Sequence, residues 1–176
     1  MPSHPVSAVS HVLRSASVVG VSGSRSAGPG CVRAVSWAVG QLASGASVVT
    51  GCMSGIDRVA RSLAPGAIVF QASQFGRGRG RFARRSTAVV RCVAAGGRSA
   101  LWVSAPGRAC PRGLAPSASS AACFAGFGSG SWASLALALG LGVRALVWLP
   151  PGVAPPQGWA LSRLCRGRAG AWWVSS

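Results

Sequence analysis

The stretch VVTGCMSGIDRVARSL, residues 48–63, carries an apolar run through two glycines into an amphipathic helix. Its opening valines belong to a short β-branched run of the kind that forms a buried strand. After the glycines, Ile56, Val59 and Leu63 recur at helical spacing, and Asp57 falls in the first turn of this helix. A strand that turns through glycine into a helix is one half of the βαβ unit of parallel sheets. The stretch therefore predicts one βα unit.

The same order of elements recurs on both sides of this unit. Short apolar runs alternate with helical stretches, and the alternation predicts an α/β fold, specifically a Rossmann-like three-layer sandwich with a mainly parallel sheet of about five strands. The predicted strands cover 16–23, 46–51, 66–72, 98–106 and 143–150. The predicted helices cover 30–44, 54–64, 84–97 and the part of 126–140 that follows its glycines.

Outside this alternation the pattern weakens at both ends of the chain. Residues 1–15 are predicted to be an N-terminal tail, 16–150 the Rossmann-like domain and 151–176 a C-terminal extension. Within the extension, GWALSRLCRG (158–167) predicts a last helix, and GAWWVSS (170–176) predicts an edge strand or a loose tail. One domain is expected for a chain of 176 residues.

The charge of the chain is extreme. It contains 18 arginines, no lysine and a single acidic residue, Asp57, which gives a formal net charge of +17. Such a charge attracts polyanions such as nucleic acid and nucleotides. An adenine-poor gene would produce the same composition without selection for binding, since Lys, Asn, Tyr and Glu, all encoded by adenine-rich codons, are absent. Both explanations stay open at this point.

Metal sites, cofactors and membrane spans are not expected. The six cysteines form no C-x-x-C pair, and only His4 and His11 could join them as zinc ligands. The first twenty residues lack the apolar block of a signal peptide, so free thiols and a cytoplasmic location are expected. The apolar run 132–150 is interrupted by glycines and by Arg144, which favours a helix followed by a strand over a membrane span.

Three glycine loops carry the functional prediction. They are SGSRSAGPG (22–30), TGCMSGID (50–57) and GFGSGSW (126–132), and each follows a strand or leads into a helix. Glycine allows a ligand to approach the main chain closely, and N–H groups at a helix start bind phosphate. Neither G-x-G-x-x-G nor G-x-x-x-x-G-K-[ST] is present, which argues against a standard dinucleotide fold and a P-loop NTPase. The loops predict a pocket for a nucleotide or phosphosugar.

Taken together, VVGVSGSR (18–25), VVTGCMSGIDRVAR (48–61) and FGSGSWASLALALGLGVRALVWLP (127–150) resemble the SLOG superfamily. That superfamily includes the nucleotide-binding domain of the DNA-processing protein DprA, the Lonely Guy phosphoribohydrolases and stand-alone bacterial domains. GCMSGID resembles the family signature G-G-A-x-G-x-D, with Cys52 in place of its second glycine. The resemblance implies a pocket for a nucleotide or nucleotide-derived small molecule. Its predicted ligand-binding residues are Gly23, Ser24, Arg25, Gly51, Ser54, Gly55, Asp57, Gly128, Ser129, Gly130 and Ser131.

A binding module is expected rather than an enzyme, with a nucleotide phosphoribohydrolase as a third and less favoured hypothesis. Lonely Guy enzymes use a glutamate in P-G-G-x-G-T-x-x-E, whereas this chain has FGSGSWAS in that register and no glutamate anywhere. Glycosidic cleavage needs a positioned acid or base. Asp57 has two interpretations, which are compatible: it binds a ribose hydroxyl or orients Arg25, or it complements the helix dipole and pairs with an arginine.

The second hypothesis is a DprA-like protein that binds single-stranded DNA. The loop SQFGRGRGRFARR (73–85) could place arginines on phosphates and Phe82 on a base. The candidate arginines are Arg77, Arg79, Arg81, Arg84 and Arg85. The family resemblance alternatively places Arg84 or Arg85 beside the phosphate of a small ligand. The seven tryptophans are expected to be packing residues, and Trp132, next to a glycine loop, is alternatively a candidate for stacking on a base. A homo-oligomer stays open.

Overall fold

The computed structural model describes residues 5–176, in which the chain forms six α-helices and seven strands. The helices are α1 Pro5–Arg14, α2 Pro29–Gly40, α3 Ile56–Leu63, α4 Gly80–Ala94, α5 Ser120–Cys123 and α6 Gly130–Gly140. The strands are β1 Val18–Gly23, β2 Ser47–Gly51, β3 Ile68–Phe70, β4 Ala100–Ala105, β5 Arg144–Leu149, β6 Leu161–Gly167 and β7 Gly170–Ser175. Two short 3-10 turns, Ala72–Phe75 and Gly97–Ser99, precede α4 and β4 respectively.

All seven strands belong to one sheet with the order β3-β2-β1-β4-β5-β7-β6. The five strands from β3 to β5 are parallel, and β7 and β6 add to the β5 edge in antiparallel orientation. The chain adds β2 and β3 on one side of β1 and then β4 and β5 on the other, so the strand order reverses between β1 and β4. Ligands of open α/β sheets bind in the crevice that such a reversal leaves. The predicted α/β class with a mostly parallel sheet is confirmed.

Apolar side chains pack on both faces of this sheet. Along β4, Leu101 and Val103 belong to a cluster with α1, α2 and α3, whereas Trp102 belongs to a second cluster with α4 and α6. Successive side chains of a strand point to opposite faces, so a strand covered on both sides must be apolar throughout. Helix α6 is apolar all round and is buried over most of its length. No helix within 5–176 has the length and apolarity that crossing a membrane requires.

Both ends of the described chain are more ordered than the sequence pattern suggests. Residues 1–4 of the predicted tail lie outside the described residues, but 5–14 form α1, whose Val9 and Leu13 are fully buried. The stretch 158–167, predicted to be a helix, instead contains strand β6, which pairs with β7. The helix prediction was wrong because β7 provides a partner strand, and ladder pairing overrides a weak local pattern.

Candidate functional site

The backbone of Ser24, the residue after β1, joins the carboxyl end of β4 to the start of α3, the helix that follows β2. The Ser24 N–H donates to the carbonyl oxygen of Ala105 at the end of β4, 3.1 Å away. The carbonyl oxygen of Ser24 accepts from the N–H of Ile56, the first residue of α3, also at 3.1 Å. The glycine loops 22–30 and 50–57 are therefore in direct contact at the point where the sheet order reverses.

The third glycine loop joins this edge through Arg108, which follows β4. The Arg108 guanidinium donates to the carbonyl oxygen of Gly128 at 2.6 Å, and the indole N–H of Trp132 donates to the carbonyl oxygen of Arg108 at 2.8 Å. Gly107 lies against Ser24, since a Cβ atom on this glycine would be 3.1 Å from the serine side chain. The loops 50–57, 22–30, 106–108 and 126–132 thus form one row, which we call the carboxyl edge.

Helices α2, α3 and α6 all begin at the carboxyl edge. Their N-cap residues are Gly28, Gly55 and Ser129, and none of these makes a side-chain capping hydrogen bond. The first N–H groups of a helix have no partner within the helix, and the helix dipole places partial positive charge there. In α3 the Ser24 carbonyl satisfies one of these donors. The start of α6, with the hydroxyls of Ser129 and Ser131 3.4 Å apart, is accordingly suited to bind an anion.

Arg25 brings positive charge to the same edge. Its exposed guanidinium lies 5.3 Å from the centre of the Phe82 ring, and the Arg81 guanidinium lies 4.9 Å from the same ring. The 22–30 loop therefore contacts the beginning of α4, the arginine-rich helix. Because the chain has one acidic side chain, which pairs elsewhere, no carboxylate side chain neutralises Arg25.

The single acidic residue is used inside the protein. Asp57 Oδ2 lies 3.6 Å from Nη1 of Arg85, and both side chains are less than a tenth exposed. The same oxygen accepts the N–H of Met53 at 3.2 Å, which holds the 50–57 loop. Gly51 packs against this pair, because a Cβ atom there would be 2.5 Å from Asp57 Oδ2. The ion-pair interpretation of Asp57 is thus observed with Arg85, and Arg25 is not the partner.

The remaining predicted residues separate into surface and interior positions. Trp132 is fully buried, as expected of a packing residue, and its ring is therefore not available to stack on a base. Among the candidate arginines, Arg77, Arg79 and Arg84 are exposed, whereas Arg85 is buried. Ser54 is exposed at the tip of the 50–57 loop. The sequence provided no sign of Arg108, which lies in an irregular loop and matters only through contacts with distant residues.

Burial dominates the titration of Asp57. It raises the pKa of this carboxyl group above the ordinary value, while Arg85, the Met53 N–H, Arg61 and Arg25 act in the opposite direction. A carboxyl group whose pKa is higher in the folded state binds its proton more tightly there than in the unfolded chain. Protonation of Asp57 therefore favours the folded protein.

We expect the free energy of unfolding of the wild-type protein to increase, relative to that of Asp57→Asn, as pH falls. The gain is complete below the unfolded carboxyl pKa of about 3.9, is lost as pH rises through the folded-state pKa, and amounts to about 1.4 kcal/mol for each unit of pKa difference. Urea denaturation of both proteins between about pH 3 and pH 7 measures it. A difference that moves against the wild type on acidification would contradict the assignment.

Neither a cluster of metal ligands nor a match to a known protein identifies this site. Within 5–176, no three His, Cys, Asp or Glu side chains come together as metal ligands would. No protein-family model matches the chain, and neither a curated protein nor a solved structure matches it. The fold and the carboxyl edge alone define the class of protein: an α/β protein whose glycine loops lie where the strand order of the sheet reverses.

Proposed function

We propose that the protein binds a nucleotide or nucleotide-derived ligand at the carboxyl edge, with its phosphate between the 22–30 loop and the start of α6. The observation that carries the proposal is the pair of Ser24 backbone hydrogen bonds, which join the ends of β1 and β4 to the start of α3 beside the exposed Arg25. The SLOG resemblance of the same three loops supports the choice of ligand class and belongs to the proposal.

The chemistry of the edge suits phosphate for two reasons. Uncapped helix starts provide N–H donors and partial positive charge, and Arg25 provides a full positive charge. The only side-chain carboxylate of the chain is paired with Arg85 in the interior, so it does not repel an anion at the surface. The half-buried Phe82 ring, which both the Arg25 and Arg81 guanidinium groups contact, lies beside this positive charge.

Binding rather than catalysis is proposed for this edge. An exposed acid or base would be needed to cleave a glycosidic bond. The chain has no glutamate, and its one aspartate is buried. In this proposal Asp57 holds the 50–57 loop through the Met53 N–H and does not contact the ligand.

Titration of AMP and ADP-ribose into the full chain by calorimetry tests the proposal. Arg25→Ala is expected to weaken binding about tenfold or more, because a charge-assisted hydrogen bond to phosphate contributes about 1.5–3 kcal/mol. Arg98→Ala is the matched control, since this exposed arginine lies just before β4, at the opposite end of the sheet. An equal loss of ligand affinity in both variants would show that only the net charge of the protein matters, and it would overturn the proposed site.

A second candidate function, binding of single-stranded nucleic acid, is favoured by the exposed arginines around the start of α4. Arg77, Arg79 and Arg84 are all exposed there. Oligonucleotide affinity that falls steeply with salt, together with no measurable binding of AMP or ADP-ribose, would favour this candidate. Tight binding of either small ligand at high salt favours the first.

A further inference from the structure

Cys52, the residue after β2, receives two hydrogen bonds at its sulfur atom. The N–H of Ala72 donates to Sγ at 3.2 Å, and Nη1 of Arg85 lies 3.6 Å from the same atom. Ala72 begins the 3-10 turn after β3 and Arg85 lies on α4, so two elements place donors on one sulfur. The side chain is half-buried and is therefore partly open to solvent. Two donors aimed at one sulfur stabilise its anion.

Two guanidinium groups, of the buried Arg85 and the half-buried Arg61, flank Cys52 and favour its anion. Arg85 is nine-tenths buried, and its Nε atom has no hydrogen-bond partner. Arg61 adds a second guanidinium, which donates to the carbonyl oxygens of Gly51 at 2.7 Å and Met53 at 3.1 Å, the residues on either side of Cys52. Against these two positive charges stands Asp57 alone, the only acidic residue of the chain. A buried guanidinium needs a counter-charge.

We propose that Cys52 is a thiolate and that it is the site at which hydroperoxides modify this protein. The thiolate places a second negative charge, besides that of Asp57, near the guanidinium groups of Arg85 and Arg61. In the modification, the sulfur attacks one oxygen of hydrogen peroxide, the O–O bond breaks, and hydroxide leaves. The sulfur becomes a sulfenic acid and loses two electrons, which the peroxide gains, and the hydroxide takes a proton from solvent to give water.

The thiol pKa of Cys52 is shifted in the opposite direction from those of Cys31, Cys110 and Cys123. Burial raises the pKa of Cys52, but the Ala72 N–H and Arg85 lower it by more, so the thiol titrates below its ordinary value. Burial raises the pKa of Cys31 and of Cys123, and raises the pKa of Cys110 to about 11. Cys110 is half-buried like Cys52, so exposure alone does not distinguish the two residues.

The test treats the full-length protein with hydrogen peroxide in the presence of dimedone, which traps sulfenic acids, and quantifies each cysteine peptide by mass spectrometry. At about pH 7, labelling of Cys52 is expected to be at least about tenfold faster than that of Cys110, because only thiolates react. Arg85→Gln should slow labelling of Cys52 about tenfold, with circular dichroism as the check on folding. Labelling of Cys52 no faster than that of Cys110 would overturn the proposal.

The pH profile of the unmodified protein provides a result that does not depend on any variant folding. The midpoint of the rise of the Cys52 iodoacetamide reaction rate with pH is expected to lie below the ordinary thiol pKa of about 8.5. Asp57→Asn, which removes the competing anion from Arg85, should move that midpoint to still lower pH. A Cys52 rate that rises through the ordinary thiol range, as for free glutathione, would show that the sulfur is not held as a thiolate.

Discussion

Trp132→Ala is expected to lower the free energy of unfolding by about 3–5 kcal/mol, the range for removing a buried tryptophan. The side chain is fully buried on α6 and meets the Trp159 ring edge-on, with 5.5 Å between ring centres. Its indole N–H donates to the carbonyl oxygen of Arg108, so the substitution also leaves that carbonyl without its partner. Urea denaturation followed by circular dichroism measures the loss.

Trp132→Phe separates the two contributions. Phenylalanine retains much of the apolar contact and removes the N–H donor, so a smaller loss of about 1–2 kcal/mol is expected. Arg108 also holds Gly128 in the 126–132 loop. Both variants should therefore weaken AMP binding if this loop is part of the site, and should leave it unchanged if it is not. An alanine variant as stable as the wild type would show that this ring is not packed as described.

Gly55→Ala is expected to destabilise the protein by about 3 kcal/mol or more, through backbone strain and overpacking together. Gly55 has φ +69° and ψ −129°, a conformation that is practically restricted to glycine. A Cβ atom there would also overlap the carbonyl groups of Ser24 and Arg25, which are backbone and cannot turn aside. The 22–30 and 50–57 loops would have to separate, so ligand affinity at the carboxyl edge should fall as well.

Gly66→Ala is the matched control for this substitution. Gly66 lies in an exposed turn before β3, with no atom within 4 Å of an added Cβ atom and no positive φ. Its replacement should leave stability unchanged or raise it by about 0.4–1 kcal/mol, because alanine restricts the unfolded chain. Equal destabilisation by the two substitutions in thermal or urea unfolding would contradict the close approach of the two loops.

The five central strands and the longer helices between them could be predicted from local patterns, whereas the strand order and the pairing of the two added strands β6 and β7 could not. The β-branched run before Gly51 and the helical spacing of Ile56, Val59 and Leu63 both lie within a few residues, and the structure has β2 and α3 there. The prediction failed where the local signal was weak. The 161–167 stretch becomes a strand because β7 lies beside it, with Trp172 opposite Cys165, and α1 forms where a tail was predicted.

The candidate site was predictable in its backbone and not in its side-chain contacts. Parallel strands end at one edge of a sheet, so the sequence order alone brought glycine loops to that edge. Which arginine would pair with Asp57 could not be read from eighteen candidates, because nothing local marks Arg85. Arg108 also escaped notice, since it acts through Gly128 and Trp132, which are remote in the chain.

Residue order therefore established the α/β class, the central strands and helices, and the glycine loops, since each depends on neighbours a few positions away. Only the folded chain decided that Asp57 is turned inward, that Trp132 is core, and that Cys52 lies under Arg85. The physical reason is that burial and charge pairing are properties of distance in space. Residues such as Cys52 and Arg85 become neighbours only when β2 and α4 have packed together.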